Sequence, residues 1–265
     1  MTALALAAVD VAGVHATVVG EGLPVTLFAH GLGGSVAETR PLAARVPGTR
    51  VLVEFRGHGR SAPLPGGWDY DVLADDLAAV AGATGATGAV GVSLGSGALL
   101  RLLTRDPARF ARLALVLPAS LDAARADGAT LRLDRLGSAI DRADVDAVAA
   151  LLLDELPGDV RSARAAGVLV RRRAQQLVIR PAPRPRRDDR PLHDRRDLAA
   201  VTAPALVVAQ RGDPLHRLDV AEDLALALPA ARLLVVPPGG VFWTAGRQVQ
   251  EALAAHFAPD PWETP

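Results

Sequence analysis

Ser93 stands in "GVSLGSG" (91–97), with Gly91 two residues before it and Gly95 two residues after. An apolar run, "GAVGVS" (88–93), leads in, and a helical pattern over 94–105, carrying Leu94, Leu99, Leu102 and Leu103, leads out. A serine at a sharp strand-to-helix turn is held in strained backbone and projects its hydroxyl at the carboxyl edge of a sheet. Flanking glycines are needed there because neighbouring chain passes close. The free N–H groups at the start of the helix favour negative charge at the same point. The chemistry implied is attack by the Ser93 oxygen on a carbonyl. "HGLGG" (30–34) follows another apolar run. Glycines after a strand can turn backbone N–H groups toward a ligand and form half of an oxyanion site, although a plain strand-to-helix turn reads the same way. A serine hydroxyl is a weak nucleophile until a base takes its proton, so the base decides the function.

The elements that must hold these residues follow from hydropathy. "PVTLFAH" (24–30), "TRVLVEF" (49–55), "GAVGVS", "LALVLP" (113–118), "ALVVAQ" (205–210) and "RLLVVP" (232–237) are short apolar runs bounded by Gly or Pro. Such runs suit strands buried on both faces. "VDVAGVHATVV" (9–19) reads as an edge hairpin turning at Gly13. Helical patterns at 70–81, 94–105, 219–228 and 247–257 alternate with the runs, which predicts crossover units and a mostly parallel sheet. "AGATGATGAV" (81–90) reads as a loop feeding the third buried strand. The alternation breaks over about 119–199, with a helical segment at 144–155 and then "RPAPRPRRDDRPLHDRR" (180–196). Prolines 181, 183, 185 and 191 forbid regular structure there. The stretch is expected to be an insertion over one end of the sheet, with a Pro/Arg-rich return that is a solvated face or an acidic-ligand site.

In order along the chain, "HGLGG", "EFRGHGRS" (54–61), "GVSLGSG" and "PALVVAQRGDPLH" (204–216) resemble the motifs of the α/β-hydrolase superfamily, in its esterase, lipase and peroxidase-like branch. The resemblance implies an α/β fold, with a mostly parallel central sheet flanked by helices and a helical cap. The core would be 1–118 with 200–265, and the cap 119–199. It implies Ser93 as nucleophile, the N–H groups of Leu32 and Leu94 as oxyanion donors, and Asp213 as the acid. Glu54 stands where that family usually has a structural Asp. After its last strand the family carries a histidine as base, but here "RLLVVPPGGVFWTAG" (232–246) places Val241. The expectation is a crevice shared by residues 32, 93, 213 and 241 that offers hydrocarbon where a proton acceptor belongs. His30, Gly31, Val241, Phe242 and Trp243 would line it, with simple packing as the other reading of 241–243. Trp68 and Tyr70 sit in a loop that could approach it.

Among the six histidines, His216, three residues after Asp213, is the best substitute base, though it sits on the acid's side of the site. His30 is expected to be structural, His58 solvated, His15 in the edge hairpin and His256 packed. His193 could swing over the site from the cap return. The readings are an enzyme acting on an ester, thioester or lactone of a small hydrophobic substrate through Ser93 with an atypical or missing base; a non-hydrolytic enzyme of the same fold (cyclisation, elimination or isomerisation); and a non-catalytic ligand-binding pseudo-hydrolase.

Composition bounds the rest. The 265 residues are half apolar and suffice for one large core. Basic and acidic residues number 29 each, so no net field points to nucleic acid or an anionic membrane. All the basic residues are Arg and Asn is absent, as expected of a GC-rich, bacterial coding sequence. Without cysteine there are no disulfides or thiolate metal sites. No metal or other cofactor is indicated: no G-x-G-x-x-G follows the first strand and no H-E-x-x-H occurs. No run of about 20 apolar residues lacks charge, and "MTALALAAVD" has no basic lead and meets Asp10 early. A cytoplasmic location is expected. The oligomeric state is left open, homodimer included.

Overall fold

Alternation decides the faces of the sheet. In the computed structural model, which describes residues 7–123, 128–156, 158–184 and 189–259, Leu27 and Ala29 of β3 (Val25–Ala29) enter one apolar cluster and Phe28 the other. β4 (Thr49–Glu54) splits Val51 and Val53 from Leu52 in the same way, and β5 (Gly88–Val92) splits Ala89 from Val90 and Val92. A period of two with both sets apolar is what a strand covered on both sides requires. β6 (Arg112–Val116), β7 (Ala205–Gln210) and β8 (Ala231–Val236) continue the sheet. β1 (Ala7–Val11) and β2 (Val14–Val19) form the expected hairpin at one edge.

The strand order is β1-β2-β4-β3-β5-β6-β7-β8. β2 meets β1 and β4 antiparallel, and β4 through β8 run parallel. α1 (Val36–Ala43) and α9 (Gly246–His256) share one cluster. α2 (Tyr70–Thr84), α3 (Leu94–Arg105) and α8 (Leu218–Ala227) contribute to the other. This is a doubly covered, mostly parallel sheet, as the hydropathy pattern predicts. The carboxyl ends of β3, β4, β5 and β7 therefore lie along one edge.

The loop expected at 81–90 is a difference: α2 continues to Thr84 and stops at Gly85, whose φ of +66° supplies the left-handed C-cap. The run of alanines sustains the helix, and the glycine ends it. Between β6 and β7 lie α4 (Gly128–Asp141), α5 (Val145–Asp154), α6 (Gly158–Arg161) and α7 (Arg164–Ile179). α4, α5 and α7 build an apolar cluster of their own around Ala139, Val148, Val170, Ala174 and Leu177. Residues 181–184 then run without helix or strand, as their prolines require. Pro185 and residues 1–6 lie outside the described residues. The return is tied down by Arg101 of α3. Its side chain is 5% exposed; Nε donates to Pro191 O (2.9 Å) and Nη2 to Arg190 O (2.6 Å). No helix among the described residues is long and apolar enough to cross a membrane.

Candidate active site

The turn at Ser93 is built by close approach. Ser93 has φ +50° and ψ −105°, a region that costs a non-glycine residue strain. A Cβ on Gly91 would come 2.5 Å from Gly95 O, and one on Gly95 would come 2.5 Å from Ala29 O. Only glycine fits at either position. The turn is fixed by Ser93 N–H donating to Val116 O (2.9 Å) and Ser96 Oγ donating to Gly91 O (2.7 Å). Ser93 caps α3 without a side-chain bond to it, so its hydroxyl is left for other partners. Leu94, the first residue of α3, presents a backbone N–H that the helix itself cannot satisfy.

An imidazole lies against that hydroxyl. His216 Nε2 is 2.8 Å from Ser93 Oγ, and His216 Nδ1 is 3.1 Å from Asp213 Oδ2. Both side chains are largely buried, at 15% and 11% exposure. The loop after β7 makes this possible. Asp213 Oδ1 accepts the N–H groups of Leu215 (2.8 Å) and His216 (2.9 Å), an Asx-type turn that folds the imidazole back over its own carboxylate. Burial opposes ionisation of Asp213, but the hydrogen bond and charge of His216, with the two N–H donors, hold its carboxyl below the ordinary carboxylate range. A proton on Nδ1 shared with Asp213 leaves Nε2 as the acceptor facing the serine.

The expected crevice without a proton acceptor is therefore not what the geometry gives. The imidazole beside Ser93 Oγ comes from the loop that carries Asp213. The Asp-Pro pair at 213–214 was the available signal, because that dipeptide starts turns. Val241, 1% exposed, packs in the cluster that holds Val236, Ala245 and Val249, and its N–H donates to Gln210 Oε1 (3.4 Å). It sits in a single π-helical turn, Gly240–Thr244, together with Phe242, which is 40% exposed, and the half-buried Trp243.

The turn after β3 is braced from below. His30, fully buried, donates from Nδ1 to Gly31 O (2.7 Å) and accepts Phe55 N–H at Nε2 (3.2 Å). His58 is not solvated as expected. It is buried because its loop tucks under the turn, where Nε2 accepts Gly33 N–H (3.2 Å) and the ring lies 4.9 Å from His30. Burial lowers both pKa values to about 4, and for His58 the repulsion that a protonated His30 would exert adds to the effect. Both rings use Nε2 as an acceptor, so both are neutral. Leu32, on the same turn, is partly buried against the first core cluster. Gly31 N–H donates to Glu38 Oε2 (2.6 Å), a residue that sequence reasoning missed.

The remaining expectations divide. Glu54 is structural: its buried carboxylate accepts Arg60 N–H (2.9 Å). His256 is packed, with Nε2 on Leu113 O (2.8 Å), and His15 pairs with Asp10 in the hairpin (2.8 Å). His193 does not swing over Ser93, because Arg101 Nη1 holds its Nε2 at 2.9 Å. Trp68 and Tyr70 belong to the core instead of the crevice. Their rings pack edge to face at 5.4 Å, and Trp68 Nε1 donates to Pro183 O (2.9 Å), which anchors the return. Glu155, at the end of α5, was also missed. Burial pushes its carboxyl up against the opposing pull of Arg173, and the charges of Asp213 and His216 reach it.

No curated protein sequence matches the chain. Among solved structures, naproxen esterase (carboxylesterase NP) from Bacillus subtilis is similar at 17% identity and TM-score 0.76, covering 96% of this chain and 92% of that one. A meta-cleavage product hydrolase from Pseudomonas fluorescens is similar at 20% identity and TM-score 0.77, covering 95% and 97%. The enol-lactonase from Burkholderia xenovorans is similar at 17% identity and TM-score 0.74, covering 94% and 99%. At these identities the likeness is one of fold. A family model described as alpha/beta hydrolase fold matches residues 24–242. The chain belongs to the alpha/beta hydrolase fold family.

Proposed function

We propose that the protein is a serine hydrolase acting on an ester, thioester or lactone of a small hydrophobic substrate, with Ser93 as nucleophile, His216 as base and Asp213 as its orienting acid. One observation carries the reading: the continuous Asp213–His216–Ser93 chain of contacts, 3.1 and 2.8 Å long. These distances are within the range that proton transfer requires.

The Ser93 oxygen attacks the carbonyl carbon while its proton passes to His216 Nε2. The negative charge of the tetrahedral intermediate falls on the carbonyl oxygen, which the N–H groups of Leu94 and Leu32 receive. Asp213, ionised, stabilises the imidazolium. The intermediate collapses as the carbon–oxygen or carbon–sulfur bond to the leaving group breaks, and that group takes the proton from Nε2. Water then repeats the sequence on the acyl-enzyme and frees Ser93. In a lactone the leaving alcohol stays tethered to the acyl chain. We further propose that residues 119–199 act as a cap that supplies the apolar side of the binding site. Leu177 of α7, which rests on Gly33 in the turn after β3, supports this.

A fluorophosphonate probe tests the proposal. Labelling of the wild type that vanishes in Ser93→Ala is the expected result. An unlabelled wild type, or labelling that survives Ser93→Ala, would overturn it.

A further inference from the structure

α7 meets the turn after β3 at two points. A Cβ on Gly33 would lie 2.7 Å from Leu177 Cδ2, so the leucine rests on the turn. One helical turn earlier, Arg173 Nη1 lies 3.8 Å from Glu38 Oε1. Glu38 accepts Gly31 N–H through Oε2 at 2.6 Å. A Cβ built on Gly31 would lie 3.5 Å from both Glu38 oxygens and 3.5 Å from Ser93 Cβ. The carboxylate and Ser93 therefore meet at the same glycine, with the Glu38 oxygens no more than about 7 Å from Ser93 Cβ.

A carboxylate there has a clear use and a clear cost. Gly31 precedes Leu32, whose N–H is the proposed oxyanion donor, so holding Gly31 N–H fixes the peptide that leads into it. A full negative charge about 10 Å from a developing oxyanion, at an effective dielectric of about 20, would slow the reaction by roughly 15-fold. We propose that Arg173 is a positioning residue that acts through Glu38: it cancels the carboxylate's charge, so that Glu38 can fix the oxyanion turn without repelling the transition state. The helices between β6 and β7 then complete the catalytic electrostatics as well as cover the site. This inference rests on the serine-hydrolase reading. Arg173 is suited to the task by its place, since its charge also reaches His30 beneath the turn and Glu155 on α5.

The test is a double-mutant cycle over Arg173→Gln and Glu38→Gln. Two quantities are read: the rate of fluorophosphonate labelling, and the affinity for a trifluoromethyl ketone, whose adduct carries the oxyanion. Arg173→Gln is expected to lower both by about tenfold or more while KM for p-nitrophenyl butyrate moves by less than about threefold. Glu38→Gln keeps an acceptor for Gly31 N–H and removes the charge, so labelling rises. Adding Glu38→Gln to Arg173→Gln removes both charges and restores both quantities to within about threefold of wild type. A loss in Arg173→Gln that the second substitution does not relieve, or one that falls on KM, would mean that the arginine acts by packing or by binding substrate, and the inference is overturned. If Arg173→Gln does not fold, Glu38→Gln decides alone: a rise in labelling supports the inference, and an unchanged or lower rate overturns it. A labelled wild type in which Arg173→Gln changes neither quantity removes this inference only. An unlabelled wild type removes the serine-hydrolase reading and this inference with it.

Discussion

Acidification from pH 7 to 5 should loosen the turn after β3 before most carboxylates titrate. His30 and His58 each use Nε2 as an acceptor in the fold, and burial holds both near pKa 4 against an ordinary value of 6.5. The folded pKa values are depressed, so the neutral rings contribute stability that is present above pH 6.5. That stability is lost as pH falls from 6.5 toward 4, where the unfolded chain binds protons that the fold excludes. Each ring contributes a slope of up to about 1.4 kcal/mol per pH unit in that window, or about 2 kcal/mol between pH 7 and 5. Asp76 and Glu155, whose carboxyls burial pushes upward, act in the opposite sense. The difference between wild type and variant is therefore the proper readout. His58→Gln keeps an acceptor for Gly33 N–H and cannot titrate. Urea unfolding at pH 7, 6 and 5 should show the variant losing about 2 kcal/mol less than wild type over that range. Equal losses would refute the assignment of a buried neutral ring at position 58.

Two further outcomes follow from packing. Gly95→Ala drives a Cβ to 2.5 Å from Ala29 O, whereas Gly31→Ala meets nothing closer than 3.5 Å; the first should cost about 2 kcal/mol or more in urea unfolding and the second under about 1 kcal/mol. Arg101→Met removes the donor that holds Pro191 O and Arg190 O and abandons Asp189, so it should cost about 3 kcal/mol. Limited proteolysis should then cut within residues 189–194 of the return in the variant and spare those bonds in wild type.

The parts of the fold that hydropathy carries were legible. Strands such as β5, apolar on both faces, and the glycines around Ser93 have local causes, so their residues announce them. The boundary of α2 was misread because a run of Gly, Ala and Thr looks like a loop until tertiary packing sustains the helix as far as Thr84. The site was half legible. Ser93 and Asp213 lie in motifs, but the position of His216 depends on how Asp213 turns its own loop, a hydrogen-bond pattern that hydropathy does not record. His216 was legible as the best substitute base, while attention to the loop after β8, where Val241 lies, set the expectation that a proton acceptor was missing. Glu38 and Arg173 were illegible for another reason. They meet across about 135 residues of chain, and only the docking of α7 brings them together.

The central claim is that His216 takes the Ser93 proton. Single His→Gln variants at 15, 30, 58, 193, 216 and 256, assayed for turnover of p-nitrophenyl butyrate, test it directly. Loss of the base in a serine hydrolase costs about 10⁴–10⁶ in kcat. The account predicts a fall of that size for His216→Gln, with a much smaller effect for every other folded variant. A His216→Gln enzyme within tenfold of wild type would contradict it.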